Sequence, residues 1–167
     1  ISDCLVGSEM CIRDSGSTDP DDYTDSTSEG NTTYYVSFSS GDDTNDGKTE
    51  TTPFKNLGKI NSITFKAGDV VKFKKGDTWK GYFKIRGSGS EGSHISVDSY
   101  GSGNLPIIDG NGYQAGIFLE NIENITISNI EITNEATHRK SDGSVRLMHS
   151  SDRNCLLYTS PSPRDNR

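Results

Sequence analysis

Positively charged side chains are concentrated in one part of the chain and indicate contact with an anionic ligand. Residues 55–86 hold nine Lys or Arg against two Asp. Several of these cations alternate with apolar residues, so on β-strands they would point outward, away from a core. Beside aromatic rings, such a row could hold an anionic polysaccharide. The candidate binding residues are Lys72, Lys74, Trp79, Lys84 and Arg86.

The same run of charge has a structural interpretation, which we favour for the run as a whole. Lysine on an exposed or terminal strand prevents edge-to-edge pairing with another sheet. A run of like charge is also usually a solvated face of the protein. Both interpretations stay open on the residues alone.

An acidic loop, GDDTNDG at residues 41–47, is the candidate metal site. Calcium takes oxygen ligands, and closely spaced carboxylates provide them. The loop departs from the helix-loop-helix calcium pattern, because Thr44 stands where a second acid belongs and Pro53 where the closing Glu would fall. A turn-rich connector is therefore favoured. The weak candidate ligands are Asp42, Asp43 and Asp46.

The remaining titratable residues do not form a recognisable catalytic set, and we assign no catalytic residue. A glycoside hydrolase needs two carboxylates placed across the glycosidic bond, whereas Asp98 and Asp109 fall on different predicted strand series. Asp77 and Asp109 also suit turns. His94 and His138 have no second ligand at metal spacing, so they are interpreted as surface or turn residues.

These residues must be positioned by strands, because short apolar segments of period two are separated by Gly, Asn, Asp and Ser. The segments lie at residues 70–73, 82–85, 95–97, 107–108, 117–119, 125–127 and 130–132. Spacings of 22 to 24 residues group them into two interleaved series. The series comprise Val71, Ile95 and Ile117 in one and Phe83, Ile107 and Ile130 in the other.

A repeat of that length predicts a solenoid, a propeller or an array. Leucine-rich repeats need a leucine framework that is missing, and a propeller blade needs nearly double the spacing. The remaining option is a parallel β-helix, in which each turn of chain stacks on the one before and inward side chains form a continuous core. Asn tolerates the left-handed backbone of the bends. The Asn residues at strand ends are Asn121, Asn124, Asn129 and Asn134.

The segment before the first repeat predicts a cap. Residues 34–36 (YYV) would add a strand. Pro53 suits a first helical position, and Phe54, Leu57 and Ile60 have helical spacing. A short amphipathic helix here would cover the open end that a repeat protein otherwise exposes. The predicted fold class is therefore all-β, a parallel β-helix fragment with a short N-terminal capping helix.

Several segments, in order, resemble the N-terminal part of the pectate-lyase-like right-handed parallel β-helix proteins. They are YYVSFSSGDDTNDG, TTPFKNLGKI, AGDVVKFKKGDTWKG, SGSEGSHISVDSYG, LPIIDG and NITISNIEITN, within residues 34–134. The resemblance implies a right-handed solenoid with a groove along one parallel sheet. In lyases of the group it also implies a Lys or Arg base and often calcium held by acidic side chains, generally on middle coils. Members include lyases, hydrolases and surface proteins without known chemistry, so the fold does not fix the activity.

Both ends of the chain resemble translated adaptor DNA from sequencing libraries. Residues 5–14 (LVGSEMCIRD) and 155–165 (CLLYTSPSPRD) can be written as one DNA string read in opposite directions. We therefore expect residues 1–15 and 155–167 to be artefacts, as expression scars are. All three cysteines lie in these ends, so no native disulfide is predicted.

Between these ends the chain divides by composition. Residues 16–33 carry five acids, no base and few apolar side chains, which predicts a flexible acidic linker. Residues 34–142 would form the cap and first coils, and residues 143–154 show no clean repeat and stay unassigned. A linker of this kind either joins two domains or follows an export signal. We expect a secreted or cell-surface bacterial protein whose export signal is not in this fragment.

The leading hypothesis is an N-terminal fragment of an exported β-helix lyase that cleaves an acidic, uronate-containing polysaccharide by β-elimination. Such chemistry needs a base and positive charge at the carboxylate, and calcium could supply that charge in the full-length protein. The alternatives are a non-catalytic carbohydrate-binding or surface-display solenoid and a β-helix glycoside hydrolase. The fragment itself is expected to be inactive.

The expected partner of the parent protein, which would be a monomer, is the acidic polysaccharide. A nucleic-acid role is not expected, because the basic residues have no reading helix and the linker is acidic. No apolar run approaches the roughly 20 residues of a transmembrane helix.

Overall fold

The structure, a computed structural model, describes residues 23–113, residues 115–134 and the backbone of Leu156–Thr159. The described residues are mostly β-strand, with one short helix. The elements are β1 Ser26–Thr27, β2 Thr33–Val36, α1 Leu57–Asn61, β3 Ile63–Thr64, β4 Val70–Lys74, β5 Thr78–Lys80, β6 Phe83–Ile85, β7 Ile95–Tyr100, β8 Ile107–Asp109, β9 Ile117–Glu120, β10 Ile125–Ile127, β11 Glu131–Thr133 and β12 Leu156–Thr159. None of the described helices has the length and apolar character needed to cross a membrane.

The strands form three stacks of parallel strands and one small parallel pair. The spatial orders are β10-β7-β4-β2, β11-β8-β5 and β12-β9-β6, with β1 paired to β3. From β4 onward the chain visits the three sheets in the same order on each pass. Strand β12 belongs to the segment predicted to derive from the adaptor, and the candidate site described below does not include it.

The strand pairing corrects the predicted series. Val71 lies beside Val97 on β7, the strand that holds Ile95, which agrees with the first step of one series. Ile117, the third member of that series, lies beside Phe83 in another sheet. Three sheets are therefore present in place of two interleaved series. Among strands β4 to β11, the offset between paired residues ranges from 24 between Ile108 and Ile132 to 34 between Phe83 and Ile117. Loops of unequal length make the spacing irregular, so a single period misassigned the neighbours.

Inward side chains from all three sheets share one hydrophobic core. Phe73 packs edge-to-face on Trp79 and Phe83, with ring centroids 5.1 and 5.3 Å apart. Val71, Val97, Ile108 and Ile117 are fully buried, at 0% exposure. Burial of each such side chain stabilises the fold by about 1.5–3 kcal/mol. The alternation of these residues with outward polar ones explains why each short strand has a single orientation.

Helix α1 covers the first layer of this core, as the predicted cap requires. Leu57 and Ile60 are buried on its inner side. The helix begins after Asn56, so the expectation that Pro53 is its first residue is wrong. The chain is extended there, because the Phe54 N–H donates to the Tyr35 carbonyl at 2.9 Å. The predicted strand at residues 34–36 is confirmed as part of β2.

The predicted flexible linker is wrong from residue 23 onward. Strand β1 pairs in parallel with β3. The Thr32 N–H donates to the Asp69 carboxylate at 2.9 Å, and that carboxylate is fully buried. Backbone and side-chain hydrogen bonds therefore order a segment whose composition offers little apolar surface. Residues 16–22 and the unassigned residues 143–154 lie outside the described part of the chain, as does His138.

The asparagines at the bends behave largely as expected. Asn121, Asn124 and Asn129 have positive φ values of 52°, 56° and 54°, in the left-handed region that Asn tolerates. Asn134 acts differently. Its amide donates to the Tyr113 carbonyl at 2.9 Å and accepts from the Gly112 N–H at 3.2 Å, so it fastens the loop of the preceding coil.

Candidate functional site

The predicted row of cations is divided between two faces of the molecule. Lys72 and Lys74 lie on β4, in the β2-β4-β7-β10 sheet, whereas Lys84 lies on β6 and Arg86 just beyond it. All four alternate with buried residues, so their outward direction is confirmed. The prediction that these cations form a single row along one face is wrong, because successive strands of the chain belong to different sheets.

Trp79 does not stand beside the cations on the surface, and this expectation is corrected. Its ring is only 2% exposed, and its indole N–H donates to the Lys55 carbonyl at 2.9 Å. Trp79 is the one inward residue of β5, between the exposed Thr78 and Lys80. The alternation of the strand therefore directs the ring into the core.

The β4 lysines contact neutral groups of the preceding layer. The Lys72 ammonium lies 5.8 Å from the centroid of the Tyr35 ring. The Lys74 ammonium donates to the hydroxyls of Ser39 and Ser40 at 3.3 and 3.1 Å. These contacts hold Lys72 against β2 and Lys74 against the loop that follows it.

The acidic loop is a connector whose three carboxylates serve separate turns. Asp42 accepts from the N–H and hydroxyl of Thr44, which lowers its pKa. Asp46 accepts from the Lys48 N–H and the Thr52 hydroxyl, which lowers its pKa likewise.

Asp43 is turned toward the helix instead, where it accepts from the N–H groups of Lys55 and Asn56. Within the described residues, no three His, Cys, Asp or Glu side chains gather into a possible metal site. The weak calcium candidates Asp42, Asp43 and Asp46 are thus not brought together, because each is committed to its own turn.

A groove runs along the outer side of α1 and the start of β6, and we call it the cap groove. One section, of about 280 Å³, has Phe38, Asn56, Lys80 and Tyr113 among its lining residues. The next section, of about 370 Å³, is lined chiefly by Asp25, Ser62, Lys84 and Arg86. Tyr23, Asn61 and Tyr82 border both sections. Concave sites that combine aromatic rings with a few polar groups are typical of small-ligand binding.

The side chain of Asn61 fixes the floor of the groove. Its amide oxygen accepts from the Lys84 N–H at 2.8 Å, and its amide nitrogen donates to the Tyr82 carbonyl at 3.0 Å. The amide thereby takes the place of a neighbouring strand for β6. Because this pairing satisfies two backbone groups, the outward side chains of Tyr82 and Lys84 are held at defined positions.

Two aromatic rings, Tyr82 and Tyr113, form one wall of the groove, and Phe118 packs against Tyr82. The Tyr82 ring contacts Tyr113 and Phe118 edge-to-face, with centroid distances of 5.3 and 5.4 Å. Tyr113 is 36% exposed. Tyr82 lies in the predicted strand segment at residues 82–85. Tyr113 and Phe118 were not among the predicted candidates, and they come from the turn after β8 and from β9. The pairing of β6 with β9 brings Phe118 next to Tyr82, although the two residues are far apart in sequence.

In the second section of the groove, the two cations are paired. The Lys84 ammonium lies 3.3 Å from the Glu120 carboxylate, and the Arg86 guanidinium lies 2.9 Å from both carboxylate oxygens of Asp25. These two predicted polysaccharide-binding residues are therefore neutralised locally by acids that lie 36 and 61 residues away in sequence.

Tyr23 closes the groove beside α1. Its hydroxyl donates to the Asp43 carboxylate at 2.7 Å. Burial, together with the hydrogen bond to this carboxylate and its negative charge, raises the pKa of Tyr23. The ring therefore stays neutral and fixed in position.

Comparison with known proteins gives one consistent picture. No family model matches the chain. The lacto-N-biosidase of Bifidobacterium longum subsp. longum is 32% identical over 140 residues, which cover 67% of this chain and 9% of that protein. Native and selenomethionine crystal structures of GH136 lacto-N-biosidase from Eubacterium ramulus are 28% identical, with TM-scores of 0.60 and 0.61. Their alignments cover 64% of this chain and 21% of theirs. The chain thus spans less than a quarter of these relatives.

Proposed function

We propose that this chain is part of a right-handed parallel β-helix glycoside hydrolase that resembles the GH136 lacto-N-biosidases. The observation that carries the proposal is the 32% identity with a lacto-N-biosidase. The 28% identity and TM-score of 0.61 with a GH136 structure support it independently. The three-sheet topology, visited in a fixed order, is what a β-helix requires.

A glycoside hydrolase, one of the alternatives considered from the sequence, is better supported than the lyase. A lyase acting on uronates needs free positive charge to stabilise the developing anion. Lys84 and Arg86 are each paired with a carboxylate, and Lys72 and Lys74 lie on a different sheet. The cations therefore do not converge on one anionic ligand within the described residues.

The proposal gives the chain the role of N-terminal cap and first coils, as the resemblance to pectate-lyase-like proteins implies. We assign it no catalytic residue, because hydrolysis needs two carboxylates at a defined separation across the bond. Asp98 and Asp109, the pair considered from sequence, lie in different sheets. Residues 1–15 and 155–167 remain proposed adaptor sequence outside the enzyme.

The test is an assay of the full-length protein encoded by the parent gene. It is incubated with a chromogenic lacto-N-bioside and, separately, with pectate, alginate and glycosaminoglycans. We expect release of the chromophore and no unsaturated sugar from the uronate polymers. Unsaturated product would overturn the proposal in favour of a lyase. Absence of any product would favour the non-catalytic solenoid.

A further inference from the structure

We propose that the cap groove is a binding subsite for a neutral oligosaccharide, with pyranose rings packed against Tyr82 and Tyr113. The inference deepens the proposed function and depends on it only for the expectation that the ligand is a glycan. The class of glycan comes from the groove itself, through its aromatic wall and its paired charges.

The aromatic wall has the chemistry that sugar rings require. One face of a pyranose presents C–H bonds that pack on an aromatic ring, while the hydroxyls around its edge need polar partners. Tyr combines an apolar ring with a polar end, which suits partly wet interfaces. Tyr113 is 36% exposed and Phe38, on the same groove, is 49% exposed. Large apolar rings held at the surface in this way mark interaction sites when they cluster.

The charge pattern selects neutral ligands. In the section beyond Tyr82, both cations are already paired with Glu120 and Asp25. An incoming carboxylate would compete with these acids and would be repelled by them. Lys80 is exposed at the rim of the aromatic section and forms no ion pair with a described residue. A single ammonium donates hydrogen bonds to sugar hydroxyls as well as to anions.

The site is also preorganised. Tyr82 directly precedes β6, whose backbone is held by Asn61, and Tyr82 is held between Tyr113 and Phe118. Tyr113 lies in a turn, and its carbonyl accepts a hydrogen bond from the Asn134 amide at 2.9 Å. Rings that are fixed before binding lose little conformational entropy when a ligand arrives.

Titration of the chain with sugars tests the proposal directly. Neutral oligosaccharides of hexose and N-acetylhexosamine, and oligogalacturonate of equal length, are added to the isotope-labelled full chain, and binding is followed by NMR. We expect the neutral sugars to shift signals of residues around Tyr82 and Tyr113. Tyr113→Ala should weaken binding at least tenfold, while Leu105→Ala, at a residue 43% exposed and outside the groove, should leave binding unchanged.

A charge variant separates the neutral class from the acidic one. Asp25→Asn combined with Glu120→Gln frees both cations, so oligogalacturonate should gain affinity while the neutral sugars keep theirs. Thermal melts of each variant establish that it is folded. Tighter binding of oligogalacturonate by the unmodified chain, or neutral binding insensitive to Tyr113→Ala, would overturn the proposal. Because the readout is binding, failure of the hydrolase assay and failure of the subsite are distinguishable.

Discussion

The two ends of the stacked strands cover their apolar side chains very differently. At the cap end, Leu57 and Ile60 of α1 are 7% and 0% exposed and close the first layer. At the far end, four isoleucines are only partly buried where they pack against the same core. They are Ile125, Ile127, Ile130 and Ile132.

This difference shows where burial comes from in the fold. Each layer is covered by its neighbours, as in other repeat proteins. A side chain in the first layer has the helix on one side and the next layer on the other. Ile127 lies beside Val97 of the layer before it and stays partly buried. Within the described residues, the cap end therefore buries its apolar side chains more completely, and the cap groove is built on that end.

Truncation of one isoleucine at each end should give the largest contrast. Ile60→Ala leaves a cavity under the cap and should reduce the free energy of unfolding by about 2–5 kcal/mol. Ile127→Ala removes a side chain that is already partly in water, so its cost should be at the low end of that range or below it. Urea unfolding of the two variants and the unmodified chain measures both costs. Equal costs would mean that the far end is as well covered as the cap.

The edge of β6 should be the next most sensitive position. Asn61→Ala leaves the Lys84 N–H and the Tyr82 carbonyl without their partner, and each buried unsatisfied group costs about 1–3 kcal/mol. The matched control is Asn104→Ala, at an exposed position where only the backbone carbonyl is bonded. Thermal unfolding should detect a clear loss for Asn61→Ala and almost none for the control. Similar melting temperatures would show that water replaces the amide.

The sequence predicted the positions of the strands better than the pairing between them. Alternating apolar residues located β4, β7 and β9 because inward and outward side chains alternate on any strand. Strand β5 was missed because a segment with one apolar residue, Trp79, has no visible alternation. Pairing was misassigned because it depends on loop lengths. A periodic pattern therefore fixes the presence of a strand without identifying the strand beside it.

The candidate site was predictable only in part. The outward direction of Lys84 and Arg86 follows from alternation along the chain. Their ion pairs do not, because Glu120 and Asp25 are distant in sequence and meet them only after the sheets have formed. The number of cations in one segment predicted a cationic face. In the folded chain, Lys84 and Arg86 are instead paired with carboxylates and lie beside aromatic rings.

Toward the far end, a substitution at Asn129 should have the smallest effect on stability. This effect is best detected through the pH dependence of stability. Partial burial raises the pKa of Asp98, but hydrogen bonds from the Asn129 amide and the Ser99 N–H, both at 2.8 Å, oppose this effect. With smaller contributions from Ser128 and from the charge of Lys72, they more than offset it, so the net pKa is lowered. A lowered pKa stabilises the fold above the unfolded value of 3.8, and this contribution is lost as pH falls through the folded pKa.

Asn129→Gly keeps the left-handed turn, where φ is 54°, and removes the amide donor. The pKa of Asp98 should rise toward its ordinary value, measured by NMR titration of the carboxyl carbon. The acid-dependent loss of stability should shrink by less than about 1 kcal/mol, since the pair is partly exposed to solvent. An unchanged pKa would show that the other groups around Asp98, which are the Ser99 N–H, the Ser128 side chain and the charge of Lys72, hold the carboxylate without the Asn129 amide. The hydrogen bond between Asn129 and Asp98 would then contribute nothing to the charge of this carboxylate.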